Sequence, residues 1–182
     1  MSVIEQTYER LALDEPERRW ELHQGVVREK PLMAHGHQHA LRRLARTLYI
    51  QLDPAEFEVG VNASRVRYAA ETFFIPDLFV IPVQQIEFYR GRGAALEVFA
   101  EPLPLVVEIW SPSTGDYDID TKIPMYRTRG DLEIWRVHPF ERTLTVWRRQ
   151  ADGGDTESVY NGGTIAPVAL PGVTVEIDAL FE

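Results

Sequence analysis

Leu105-Val-Val-Glu-Ile-Trp-Ser-Pro-Ser-Thr114 is the stretch on which the reading of this chain turns. Leu105, Val106, Val107, Ile109 and Trp110 form an apolar run of strand length, closed by Ser111-Pro112, and such a run reads as a buried strand. Glu108 interrupts it. An unpaired carboxylate is costly to bury unless it gives up its charge. The sequence therefore demands a partner for Glu108: an arginine inside the core, or a cation.

A second acid sits in a similar setting. Phe73-Phe-Ile-Pro-Asp-Leu-Phe-Val-Ile81 places Asp77 in another apolar segment, read as one strand from Phe73 to Pro82. Two such strands side by side bring Asp77 and Glu108 together. Alone, the two carboxylates repel and one pKa rises. A hard divalent cation, Mg²⁺ or Mn²⁺, removes the conflict, because such ions take carboxylate, water and phosphate oxygens. The structural alternative for Asp77 is a turn fixed by the preceding Pro76.

The segment after Glu108 suits a reactive site. Ser111 to Thr114 is a hydroxyl-rich exit from the strand, then come Asp116, Asp118, Asp120 and Lys122. The pattern predicts a helix over Thr121–Thr128, with Thr121 as N-cap, Pro124 tolerated in the first turn and Gly130 as the stop. Lys122 then lies at a helix N-terminus, where its ammonium can orient a water or neutralise a phosphate oxygen. Metal and lysine together are a workable kit for phosphodiester hydrolysis. The bland alternative is a solvated lysine beside helix-capping aspartates.

Outward from this centre, Trp20 to Lys30 reads as two short strands around a turn at Gln24-Gly25. Leu41, Leu44, Leu48 and Leu52 recur at helical spacing, giving an amphipathic helix over Ala40–Leu52 that Asp53-Pro54 stops. Phe57–Tyr68 alternates as a strand, Gly91-Arg92-Gly93 marks an exposed loop, and Leu132–Val137 and Thr143–Arg149 are further strands. Strands with helices on either side indicate an α/β fold with a mixed central sheet flanked by helices. His35, His37 and His39 form a polar entry to the helix with His37 facing the cleft, or a transition-metal chelate lacking an obvious third ligand. Trp110, Trp135 and Trp147 read as core.

The totals bound the function. A chain of 182 residues is expected to fold as one domain, over 1–182, and the absence of cysteine excludes disulfides and thiolate metal sites. No apolar window is long enough to cross a membrane, and the N-terminus lacks a secretory pattern, so the cytoplasm is the expected location. A net charge of −9 argues against a nonspecific nucleic-acid coat. It leaves room for a local basic face, for which Arg42, Arg43, Arg46, Arg65, Arg67, Arg90 and Arg92 are available.

These residues resemble a known family. Pro76-Asp77, Val106-Val-Glu-Ile-Trp-Ser-Pro-Ser-Thr114, Asp118, Lys122, Tyr126, Gly130 and Glu133-Ile-Trp-Arg-Val-His-Pro139 look like the Uma-type restriction endonucleases of the PD-(D/E)XK nuclease fold. Trp20-Glu-Leu-His-Gln-Gly25, His37-Gln38, Leu170-Pro-Gly172 and Leu180-Phe181 extend the likeness over nearly the whole chain. The resemblance implies a restriction-endonuclease-like core with additional β-strands. It implies Asp77 and Glu108 as metal ligands, the Ile109 carbonyl as a third, and Mg²⁺ or Mn²⁺ as the cofactor. In the simplest motif the lysine stands two residues after the acid, where this chain has Trp110; the family resemblance transfers that role to Lys122. Glu21 is a candidate extra acid, against the alternative of a hairpin surface residue. His138 stands where the family shows aspartate. The implied function is a metal-dependent endonuclease acting on nucleic acid, chiefly DNA; cutting two strands favours two related sites, so a homodimer is the expected assembly. The competing reading is a catalytically inactive nuclease fold kept for binding or regulation.

Overall fold

The structure is a computed structural model and describes residues 1–91 and 95–182. Its centre is a six-stranded mixed sheet made of β3 (Phe57–Val61), β6 (Leu78–Pro82), β8 (Leu105–Ile109), β9 (Glu133–His138), β10 (Thr143–Arg149) and β11 (Asp155–Tyr160). The strand order is β11-β10-β9-β8-β6-β3. Within this sheet only the β8–β9 pair is parallel; the other neighbours run antiparallel. A five-stranded sheet, ordered β2-β1-β5-β4-β7, holds the hairpin of β1 (Trp20–His23) and β2 (Val26–Glu29). It is completed by β4 (Arg65–Ala69), β5 (Thr72–Phe74) and β7 (Val98–Phe99), while β12 (Thr164–Ile165) pairs with β13 (Val175–Glu176). The expected mixed α/β architecture with additional strands is what the chain adopts.

Alternation along the central strands sends alternate side chains to opposite faces. One face carries Leu78, Val80, Leu105, Val107 and Ile109, packed with Leu41, Leu44 and Leu48 of α2 (His35–Gln51). The other carries Phe79, Ile81, Val106 and Ile134, packed with Ile123 and Tyr126 of α5 (Ile123–Arg129). Ile86, from the single turn α3 (Val83–Ile86) after β6, joins this second face. The leucine stripe expected to bury the first long helix does so, but the helix begins at His35 rather than Ala40. The histidine triplet, expected as a polar entry to the helix, lies within its first turns. The N-terminal helix α1 (Val3–Asp14), closed by a Ser2–Glu5 capping box, is an addition to the expected elements.

Two expected strands are each split between the sheets. Phe57–Tyr68 breaks at Asn62, whose φ of 47° turns the chain from β3 into β4. Phe73–Pro82 breaks at Ile75-Pro76-Asp77. Pro76 has no N–H to offer a ladder, and the Ile75 backbone is satisfied by side chains instead. Its N–H donates to Glu21 at 2.8 Å and its carbonyl accepts from Lys30 at 2.7 Å. Asp77 thus lies in the crossing between sheets, one residue before β6, and not inside a continuous strand.

The helix after β8 also departs from expectation. Helical structure begins at Gly115 in α4 (Gly115–Tyr117) and runs through a π-turn over Asp118–Lys122 into α5. Thr121 caps nothing, and Lys122 sits inside this run rather than at its start. Proline cannot supply the i→i−4 bond of a regular turn, and the π-turn immediately before Pro124 absorbs that defect, with Ile123 N–H reaching back to Asp118. Gly130 ends the helix at φ 93°, as expected. The exposed loop expected at Gly91-Arg92-Gly93 runs into residues 92–94, outside the described residues.

Candidate active site

The antiparallel register Leu78↔Val107, continued by one residue, sets Asp77 opposite Glu108. Both share parity with the α5-facing residues, Asp77 with Phe79 and Glu108 with Val106. The crossing at Pro76 brings in the β1–β2 hairpin of the other sheet, and the π-turn brings in Lys122. Asp77, Glu108 and Lys122 are each 1 % exposed.

Asp77 is held on three sides. Its Oδ1 pairs with Lys30 Nζ at 2.8 Å, and its Oδ2 meets His37 Nε2 at 2.8 Å and accepts the Ile109 N–H at 2.7 Å. Burial disfavours its charge, but the Lys30 ammonium and the His37 contact outweigh that, holding the carboxyl well below the usual range. An ionised Asp77 only accepts, so His37 Nε2 carries the proton. Glu108 has the opposite setting. Its Oε1 accepts the Tyr126 hydroxyl at 2.7 Å and lies 3.4 Å from Lys122 Nζ, while Oε2 has no hydrogen-bond partner. Burial pushes Glu108 up to about 8, against the pull of Lys122 and Lys30, with Asp118 and Asp77 adding repulsion.

Lys122 Nζ binds Glu21 Oε1 at 2.9 Å and lies 3.6 Å from Asp118 Oδ1. Burial disfavours its ammonium, yet Glu108, Glu21 and Asp118 raise its pKa well above the ordinary lysine value. Burial raises Asp118 as well. Four carboxylates, Glu21, Asp77, Glu108 and Asp118, therefore share this buried cluster with two ammoniums. Full ionisation leaves two negative charges uncompensated, the charge of one divalent cation. Among the described residues no group of three His, Asp or Glu side chains is arranged to hold a metal ion. The donors that fit Mg²⁺ or Mn²⁺ are thus a carboxylate pair with the unpartnered Glu108 Oε2, the remaining positions falling to water and substrate.

Glu108 makes stability depend on pH. Its folded pKa of about 8 exceeds the value of 4.5 for an unperturbed glutamate, so the folded chain holds a proton the unfolded chain has lost. That stabilisation is complete below 4.5 and disappears as pH rises through about 8, with a slope of roughly 1.4 kcal/mol per pH unit at most. In EDTA the melting temperature should fall across this window. Glu108→Gln should flatten the fall, and Mg²⁺ should reduce it by compensating the ionised carboxylate.

The structure thus brings all five expected site residues together: Asp77, Glu108, Lys122, Glu21 and His37. Glu21 is a buried neighbour of Lys122, not a hairpin surface residue. One member of the cluster, Lys30, lies beyond what the sequence indicates, and Asp118, expected among solvating aspartates at the helix start, is buried instead. Lys30 precedes Pro31 at the end of a strand whose four residues are all exposed, and nothing local marks it for burial. A cavity of about 280 Å³, lined by Glu21, Arg28, Lys30, Thr114, Tyr117 and Lys122 among others, opens beside the lysine side of the cluster; Asp77 and Glu108 do not line it. Ser111 and Thr114 bind each other through their hydroxyls at 2.9 Å and shape its edge. Trp135 and Trp147 are core, but Trp110 is half-buried and stacks on His138, ring centroids 4.3 Å apart. A Cβ at Gly115 would overlap the Trp110 indole. His138 Nδ1 accepts the Glu141 N–H at 3.1 Å in the β9–β10 turn, so histidine serves there as a stacking partner and turn acceptor. Of the expected basic face, Arg42, Arg43 and Arg46 are exposed on α2, whereas Arg67 pairs with Glu5 and Arg90 with Glu87.

A mixed sheet with one acid on β8, a second at the entry to the neighbouring β6 and a lysine from the following helical run has a restriction-endonuclease-like α/β fold. The chain matches the family model Uma2, described as "Putative restriction endonuclease", over residues 5–178, and it belongs to that family. A solved structure from Anabaena variabilis, described as "a putative nuclease belonging to DUF820", superposes with a TM-score of 0.73 at 19 % identity, covering 89 % of each chain. That similarity establishes the shared fold. No curated protein matches the chain. No helix among the described residues is long and apolar enough to cross a membrane.

Proposed function

We propose that this protein is a Mg²⁺- or Mn²⁺-dependent endonuclease that hydrolyses phosphodiester bonds of nucleic acid, chiefly DNA. The observation that carries the reading is the meeting of Asp77 and Glu108 on one face, with Glu108 Oε2 unpartnered and Lys122 Nζ beside Oε1. Asp77 and Glu108 are the metal-holding carboxylates in this reading, with the Ile109 carbonyl as a third oxygen donor. When bound, the cation supplies an acidified water and charge compensation at the phosphate.

The chain's own residues do the rest. Lys122 keeps a permanent positive charge in a dry setting, where it offsets negative charge developing on a phosphate oxygen. Glu21 holds that ammonium in place through its 2.9 Å contact. His37 and the Ile109 N–H fix the Asp77 carboxylate. The test is nicking of supercoiled plasmid with Mn²⁺, which should occur with the wild-type chain and stop when EDTA removes the metal. Cutting both strands favours two related sites, so the reading includes a homodimer.

One observation favours the inactive reading. Lys30 already occupies Asp77 Oδ1 at 2.8 Å, so that acid is charge-compensated without a metal. A chain that binds DNA and never nicks it, with either cation, would fit that reading and exclude the enzyme.

A further inference from the structure

Beside the acid cluster lies a second cavity of about 290 Å³, whose wall includes Arg19, Met33, His37, Arg42, Val61 and Asn62. His37 belongs to both places: its Nε2 is committed to Asp77, while its Nδ1 has no partner although the residue is 1 % exposed. Two features of this cavity favour an anion. Among the described residues, no carboxylate pairs with either the Arg19 or the Arg42 guanidinium. The first turn of the 17-residue helix α2, which contributes His37, has no side-chain cap and no acidic residue, leaving its N–H groups and the positive end of its dipole uncompensated. His37 Nδ1 and Asn62 Oδ1 are unpartnered buried acceptors in the wall, left to accept a hydrogen bond from water rather than to hold the anion.

We infer that this cavity is a subsite for a backbone phosphate of the nucleic-acid strand, next to the phosphate that is cut. The inference rests on the nuclease reading and extends it to strand placement. Two features favour a backbone phosphate over a free one. Met33, Leu41 and Val61 give the cavity an apolar side suited to a sugar. Arg42, Arg43 and Arg46 continue along the exposed side of α2, extending positive charge away from the acids on a chain that is negative overall. Arg19 and Arg42 position the strand; His37 couples the subsite to Asp77 by sharing one ring between them.

The test separates binding from cutting. Anisotropy of a labelled oligonucleotide is followed in EDTA with the full chain, over a range of salt concentrations. Replacing Arg19 and Arg42 together by alanine should weaken binding about tenfold and reduce the salt slope by roughly 1 to 2, the loss of one or two phosphate contacts. Arg42→Lys should retain most of the affinity. Arg90→Ala, whose guanidinium is paired with Glu87, should bind like wild type. Melting temperatures of these surface variants report folding independently. Unchanged affinity and salt slope in the double variant would overturn the subsite, and persistent plasmid nicking by wild type would leave the nuclease reading standing. Inorganic phosphate protecting the chain thermally through Arg19 and Arg42, with no oligonucleotide binding, would assign the cavity to a free phosphoryl group and also overturn it. Wild-type protein that neither binds nor nicks would remove both proposals.

Discussion

Glu108→Gln should abolish Mn²⁺-dependent plasmid nicking, by at least about 10²-fold, the scale on which removing one preorganised electrostatic group acts. The substitution is nearly isosteric and leaves an oxygen for the Tyr126 hydroxyl, so the chain should still fold. Below pH about 8 the wild-type side chain is itself protonated when no cation is present, and glutamine mimics that neutral state. The variant should therefore be at least as stable as wild type in EDTA at alkaline pH, while losing its activity. This opposition is the diagnostic: a carboxylate kept only for packing or ion pairing would lose stability on neutralisation. Equal nicking by Glu108→Gln and wild type would show that the activity comes from elsewhere.

Asp77→Ala carries the largest expected stability effect. It leaves the Lys30 ammonium buried with only the Ile75 carbonyl, and it frees the Ile109 N–H and His37 Nε2. Removing one partner of a buried ion pair costs about 3–5 kcal/mol, because the other charge remains desolvated. Lys30→Met in the Asp77→Ala background removes that stranded charge and should recover part of the loss. Urea denaturation of wild type, the two single variants and the double variant gives the coupling, expected to be about 1–3 kcal/mol. Additive effects would mean that Lys30 and Asp77 do not meet as described. Asp77→Ala should also lose nicking, but its stability cost makes it the weaker test of mechanism.

Two acids of the buried cluster are legible in the sequence because buried charge is conspicuous, and the family resemblance points to Lys122 and Glu21. Glu108 in an apolar run and Asp77 after a proline both violate the rule that strand interiors are apolar, and each violation marks a real member of the cluster. The fold class is legible for a similar reason: the leucine spacing of α2 and the alternation of β9 and β10 are long and regular. The departures are local. Pro76 and Asn62 switch the chain between sheets, and only tertiary pairing shows where a run of strand-forming residues changes partner. The π-turn replaces the expected N-cap at Thr121 because the helical run starts earlier and must still accommodate Pro124. The Ser2-x-x-Glu5 capping box that opens α1 is a local signal, present in the sequence and absent from the expected elements. Lys30 has no comparable signal, since a lysine at the end of an exposed hairpin strand is normally solvated. Its burial is visible only once the crossing at Ile75-Pro76-Asp77 folds over it.

Lys30 also sharpens the competition at the centre of the site. An ammonium on Asp77 and a proton on Glu108 compensate these two acids when no metal is bound, leaving one negative charge in the cluster, and a divalent cation must displace or offset both. Metal binding should therefore release a proton near neutral pH and strengthen as pH rises toward 8.

Mn²⁺ binding followed by electron paramagnetic resonance tests this most directly, with wild type, Asp77→Asn and Glu108→Gln compared at one pH above 8. A single bound ion per chain in the wild type, lost in both variants while their folds persist, is the predicted result. Binding that survives intact in both variants, or no binding by the wild type up to the millimolar range, would contradict it.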